Sequence, residues 1–265
     1  MISRFNVSCL ILFALATGFS SSFAAESVTR GKQVFERNCA VCHGTSGDGA
    51  GMEARRFFTR PTDLRRGIFK FRSTPSGSLP TDQDLERTIR RGLPGSGMIT
   101  QDHLSEGDIK NVIAYLKTLS SRWREASTDT PIPITRPENP ELLATQGAEI
   151  FKKAGCPECH GEHGRGDGPS AASLTSQGRP TRPADLTRRP FKGGDQAEDV
   201  YRTLAAGIDG TPMPAYRDVL DEGELWALAF YVSRLAPSPA AASPTNDERI
   251  GWEVETKHQG RPPPR

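Results

Sequence analysis

The chain has 265 residues, a quarter of them charged and about a third apolar, with a formal net charge of +2. That length holds two ordinary domains, and the composition is that of a soluble globular protein rather than a membrane-embedded bundle. So small a net charge argues against nucleic acid as a partner.

At the amino end, Arg4 stands ahead of the uncharged, mostly apolar run CLILFALATGF from Cys9 to Phe19, and Ser22-Phe23-Ala24 sets small residues where a signal peptidase reads them. Cleavage is expected after Ala24, which makes residues 1–24 a signal peptide and the mature protein periplasmic. The apolar run is shorter than the roughly 20 residues that cross a bilayer. Loss of Arg4 lowers the balance to +1 and loss of Cys9 leaves four cysteines. In an oxidising compartment these should be bridged or committed to a cofactor, and two possible bridges do not make a disulfide scaffold.

An internal repeat with a period near 116 residues organises the rest. GKQVFERNCAVCHG from Gly31 matches GAEIFKKAGCPECHG from Gly147, and RPTDLRR from Arg60 matches RPADLTRR from Arg182. DLERTIRRGLPGSGM (84–98) lies without a gap over DVYRTLAAGIDGTPM (199–213). Two homologous domains follow, at 25–120 and 141–236. Each opens with a helix that runs into its cysteine pair, and a further helix ends at Gly92 or Gly207. Each closes with an amphipathic helix: Ile109, Val112, Ile113, Leu116 and Leu119 in one, Leu225, Leu228, Ala229, Val232 and Leu235 in the other. Ser105 and Asp221 are the expected N-caps, with Asp108 and Glu224 three residues later. Strand-like alternation is absent, so the expected class is all-α with long Gly- and Pro-rich loops. PIPITRPENP makes 121–140 a semi-stiff linker, and 237–265 reads as a disordered tail with Trp252 as its one candidate for docking.

Cys39-Ala-Val-Cys42-His43 and Cys156-Pro-Glu-Cys159-His160 both spell Cys-x-x-Cys-His, the signature of covalent c-type haem attachment. Thiols three apart on a helical turn reach the two vinyl groups on one porphyrin edge, and the next residue projects to the iron. A redox disulfide or zinc knuckle shares the CxxC. Both copies, however, continue into His at equivalent repeat positions, and 113 residues separate Cys42 from Cys156, far beyond a zinc ribbon's spacing. Met98 and Met213 align, 55 and 53 residues after their histidines, in the polar loops GLPGSGM and GIDGTPM. Such loops are poor places for an apolar filler, so the two methionines are candidate sixth ligands. His103 reads instead as an exposed residue before the Ser105 cap, His163 lies too close to His160 to reach the opposite face, Met52 reads as loop packing, and His258 falls in the tail.

On these motifs the chain resembles the class I cytochrome c family, in particular its two-domain, dihaem periplasmic members, over about 31–119 and 147–235. The resemblance implies two covalently attached haem c groups, with Cys39, Cys42, Cys156 and Cys159 as thioether positions and His43, Met98, His160 and Met213 as iron ligands. Thr211-Pro212-Met213-Pro214 matches the family's ligand loop, whereas Met98 is followed by Ile99. It also implies opening and closing helices that cross at Gly31 and Gly147, where Phe35 and Tyr115, and Phe151 and Tyr231, pack. A proline carbonyl, from Pro61 or Pro183, would hold each proximal His, and Arg87 and Arg202 are candidates for haem propionates.

With both irons closed by His and Met, the expected function is single-electron transfer between redox proteins and not catalysis. The rivals are a dihaem peroxidase, which needs an open iron, and an electron-transfer subunit of a larger dehydrogenase or oxidase. Thiosulfate oxidation on a Cys-ligated haem needs a further cysteine, and a haem sensor needs a signalling domain. The first domain has 15 basic and 11 acidic residues and the second 11 and 14. The stretch 55–72 alone holds seven of the positives, so it is the expected dock for an acidic partner surface.

Overall fold

The computed structural model describes residues 24–138 and 140–236. The rest of the expected leader and the expected tail lie outside the described residues. The first half consists of α1 over residues 24–38, α2 (Ala40–His43), α3 (Asp82–Arg91), α4 (Glu106–Thr118) and the single turn α5 (Arg122–Glu125). The second half repeats the order as α6 (Pro140–Lys153), α7 (Pro157–His160), α8 (Ala197–Ala206) and α9 (Glu222–Leu235). The fold is all-α apart from one two-stranded ladder, β1 (Thr175–Ser176) with β2 (Arg179–Pro180), which the sequence pattern did not signal. Gln177 and Gly178, both at positive φ, turn it.

The helix starts follow from their caps. Ser105 accepts from the Asp108 amide and Asp221 from the Glu224 amide, each in a reciprocal capping box, and a third box pairs Thr81 with Asp84. α3 and α8 stop at Gly92 and Gly207, whose φ of 63° and 69° lie in the left-handed region that favours glycine.

α1 crosses α4, and α6 crosses α9, where a glycine allows it. A Cβ on Gly31 would collide with the carbonyl of Asn111, and one on Gly147 with that of Ala227. The rings beside these contacts meet, Phe35 with Tyr115 at 5.3 Å and Phe151 with Tyr231 at 5.5 Å between centroids. Each half has its own core. Phe35, Leu85, Ile109 and Val112 belong to the first, and Phe151, Val200, Leu225 and Leu228 to the second.

The linker is packed rather than free. Ile132 is buried in the second core, its amide donates to the Ser73 carbonyl at 2.8 Å, and Arg136 pairs with Glu198 at 2.6 Å while lying over Phe230. The linker thus straps α9 and touches the first domain at the same time. A second tie crosses directly. Arg72, its side chain fully buried, donates to the Ala206 carbonyl at 2.9 Å and to Asp209 at 2.8 Å, and Asp209 also accepts from the Ser76 hydroxyl and the Gly77 amide. Arg72, Ser76 and Gly77 lie on a loop present in the first half alone. Fourteen positions separate Lys70 from Asp84, against seven between their counterparts Lys192 and Asp199.

Candidate functional site

Each CxxCH forms one helical turn. The His43 amide donates to the Cys39 carbonyl at 2.8 Å and the His160 amide to the Cys156 carbonyl at 2.9 Å, so both thiols and the imidazole of each motif come off a single turn. None of the four cysteines is bridged. Burial, with Cys42 nearby, pushes the Cys39 thiol up to about 11, and burial does the same to Cys156. At neutral pH both are therefore thiols in an apolar setting. Among the described residues no three His, Cys, Asp or Glu side chains converge as a bare metal site would require.

The two imidazoles are set alike. His43 Nδ1 lies 3.3 Å from the Thr62 carbonyl and His160 Nδ1 lies 3.0 Å from the Ala184 carbonyl. A carbonyl only accepts, so Nδ1 carries the proton and the Nε2 lone pair is left for a metal. Burial lowers both pKa values, which favours this neutral form, with the carbonyl bonds acting in the opposite sense. The accepting residue is one position beyond the expected Pro61 and Pro183. Those proline carbonyls are turned instead toward Gly49 and Gly166, where a Cβ would strike them. The RPxDL loops therefore do carry the acceptor, but packing against the glycine loop takes the first carbonyl and leaves the second for His.

Met98 and Met213 sit on matching loops. The Leu93 amide donates to the Met98 carbonyl at 2.8 Å and the Ile208 amide to the Met213 carbonyl at 3.1 Å. Both Met amides in turn point at a hydroxyl two residues back, Ser96 or Thr211. Both methionines, both histidines and all four cysteines line one continuous cavity of about 560 Å³ that crosses from the first half into the second. Its walls are largely apolar, with Leu85, Ile89 and Val112 on one side and Val200, Leu204 and Leu228 on the other. Two paired sets of thiols, imidazole Nε2 and thioether sulfur around an apolar volume of small-molecule size fit a haem in each half.

The remaining candidates separate cleanly. His103 and His163 are exposed and do not line the cavity, and His103 Nε2 lies 3.2 Å from Asn38 Oδ1. Met52, expected to pack in its loop, is 81 % exposed. Arg87 and Arg202 do not line the cavity and pair with Asp84 and Asp199, one turn back on their own helices. Of the basic stretch 55–72, Arg72 is interior and Lys70 lines the cavity, while Arg55, Arg56, Arg65 and Arg66 remain exposed. Tyr216 was not anticipated. It lines the cavity beside Cys156, and burial pushes its hydroxyl up to about 12. Its position after the second methionine loop, with its amide on the Leu204 carbonyl, parallels Gln101 in the first half, whose amide reaches the Ile89 carbonyl.

Residues 28–120 match the family described as Cytochrome c, and residues 143–232 match that of Cytochrome C oxidase, cbb3-type, subunit III. The Cbb3-type cytochrome c oxidase subunit FixP of Azorhizobium caulinodans is 31% identical over 209 residues, which cover 77% of this chain and 58% of that protein. The corresponding subunit CcoP of Azospirillum brasilense is 28% identical, with coverages of 80% and 63%. The chain therefore spans about three fifths of the length of these curated relatives. A chain of the Kuenenia stuttgartiensis reducing HAO-like protein complex Kustc0457/Kustc0458 is similar with a TM-score of 0.76 and 40% identity, over 78% of this chain and 96% of that one.

Proposed function

This chain belongs to the class I cytochromes c as a two-domain member with two covalently bound haem c groups, and on that premise we propose that it relays single electrons between redox proteins in the periplasm, with no substrate of its own. The domains run from 25 to 120 and from 141 to 236, after a leader cleaved at Ala24. When bound, each haem supplies a reversible ferrous/ferric couple. Cys39 with Cys42, and Cys156 with Cys159, hold the two groups in place. His43 and His160, oriented by the Thr62 and Ala184 carbonyls, would offer Nε2 to the irons, and Met98 and Met213 would offer thioether sulfur as the second protein ligands. Thioether ligation by these methionines would favour the ferrous state and would occupy the position that a substrate needs.

The observation that carries this reading is the shared cavity, which brings both CxxCH turns and both methionine loops to one lining. Two redox groups held in one apolar enclosure suit a two-step relay. The ferric spectrum of the holoprotein tests it. The weak long-wavelength band of thioether ligation should correspond to two sites per chain, and Met98→Ala or Met213→Ala should each remove half of it. Rapid turnover of hydrogen peroxide by the wild-type protein would overturn the reading.

A second reading, that the relay works as a subunit of a larger redox assembly, is favoured by similarity to nearly the whole of a chain from an HAO-like complex. Among the described residues no helix is long and apolar enough to cross a membrane. Docking would use the exposed arginines of the first domain. Arg55→Glu with Arg56→Glu should slow association with an acidic partner about tenfold at low ionic strength and far less in high salt. Arg56 already spends part of its charge on Glu53 at 2.8 Å, so Arg55→Glu alone should account for most of the change.

A further inference from the structure

Four basic side chains line the shared cavity, and they form two repeat-related pairs. Arg60 and Arg182 precede the prolines of the RPxDL loops, and ten positions further on Lys70 and Lys192 each follow a phenylalanine. Among the described residues the single carboxylate on the wall is Glu53, which is held by Arg56. The other titratable groups there are Tyr216, the two histidines and the four cysteines, and burial raises the pKa values of Tyr216, Cys39 and Cys156. Arg182 lies over the Phe58 ring of the first domain at 4.9 Å, so this cluster straddles the seam between the domains.

The lysines are the informative pair. Among the described residues no carboxylate offsets either of them. Burial lowers the pKa of Lys70 and Lys192 further lowers it, and burial lowers that of Lys192. Two like charges from opposite domains thus face one half-enclosed space, an arrangement that costs free energy unless anions enter with a ligand. Each haem carries two propionates, so two haems bring four carboxylates to four cations. Arg87 and Arg202, the other basic candidates, are already committed to aspartates outside the cavity.

We propose that Lys70 and Lys192, backed by Arg60 and Arg182, anchor the propionates of both haems at the domain seam, as one shared cluster of opposite charges. The inference rests on the dihaem reading and not on the identity of any partner. A cation beside a propionate disfavours the ferric state, which carries one more positive charge, and so holds the potential up. It also keeps the propionate ionised, so that the potential stays flat with pH across the neutral range.

Haem content per chain comes first, because fewer than two haems would remove the premise and not the anchors. Spectroelectrochemical titration of the holoprotein between about pH 5 and 9 then compares wild type with K70Q, K192Q, the double variant K70Q/K192Q and the charge-preserving K70R/K192R. The double glutamine variant should show both potentials lowered, with a proton-linked step displaced upward by about one pH unit, while K70R/K192R keeps the wild-type profile. K110Q, on the exposed side of α4, should leave both potentials in place. A fully loaded K70Q/K192Q whose potentials and pH profile match wild type would overturn the proposal. Haem loss in the glutamine variants but not in K70R/K192R would support it, and equal loss in both would overturn it by showing that the positions serve folding and not charge.

Discussion

The closing helices α4 and α9 occupy equivalent places in the two domains, yet their outer sides are built from opposite materials. The second domain places Tyr201, Trp226 and Phe230 in a continuous stack, with centroids 4.5 Å and 5.3 Å apart, and Trp226 is 1 % exposed. The same repeat positions in the first domain hold Glu86, Lys110 and Ala114. The difference lies in the cover. The strap through Ile132 and Arg136 lies against the second domain's stack, whereas Lys110 faces solvent. One scaffold thus tolerates a wet or a dry back to its last helix, provided the chain supplies a lid for the dry one. The haem side, by contrast, hardly varies between the halves.

Substitutions at paired positions turn this comparison into measurements. Trp226→Ala should cost about 3–5 kcal/mol of stability, and Lys110→Ala at the equivalent position should stay within about 0.5 kcal/mol. Chemical denaturation of the two holoproteins, followed by hydrogen exchange in α4 and α9, would read both. A large loss from Lys110→Ala would break the comparison. At the helix crossings the domains should behave alike. Gly31→Ala and Gly147→Ala each force a methyl group into a facing carbonyl and should each cost about 2–3 kcal/mol in the same assay.

A smaller asymmetry concerns acid. Asp84 accepts from the Ser73 amide and hydroxyl, from the Thr81 amide and from Arg87, all within 3.0 Å. Burial alone would raise its pKa, but these donors together hold it below the ordinary carboxylate value. Its contribution is therefore complete above about pH 4 and is lost as the pH falls through its lower folded value. Asp84→Asn should cost about 2 kcal/mol at pH 7, and the gap from wild type should close on acidification through that window. Asp199→Asn, which loses chiefly the bond to Arg202, should cost under about 1 kcal/mol. Denaturation midpoints measured down to about pH 3 would separate them.

What was legible in the residues was what recurs or is local. The repeat, the caps at Ser105 and Asp221, the Gly31 and Gly147 crossings and the two cysteine turns all depend on neighbours within a few positions or on a copy elsewhere in the chain. The misses depend on tertiary partners. Trp226 and Phe230 fall outside the apolar stripe of α9 and are buried by partners remote in sequence, Tyr201 of α8 on Trp226 and Arg136 of the linker over Phe230. Arg72 looked like part of a basic surface, and its role appears only when Asp209 of the other domain is brought to it. Arg87 and Arg202 aligned well but had carboxylates one turn away, an i, i+3 relation that was open to inspection and decides their pairing. The histidine acceptors were misplaced by one residue because a repeated loop identifies a turn but not which of its carbonyls points inward.

The strap has a practical corollary for anyone dissecting the gene. Expressing the carboxyl-terminal module from Pro140, where its first helix begins, would take Ile132 out of its core and remove Arg136 from the Phe230 ring. A fragment starting upstream of the proline-rich segment would carry its own cover, so the cut that looks natural on a domain map is the wrong place to put the start codon.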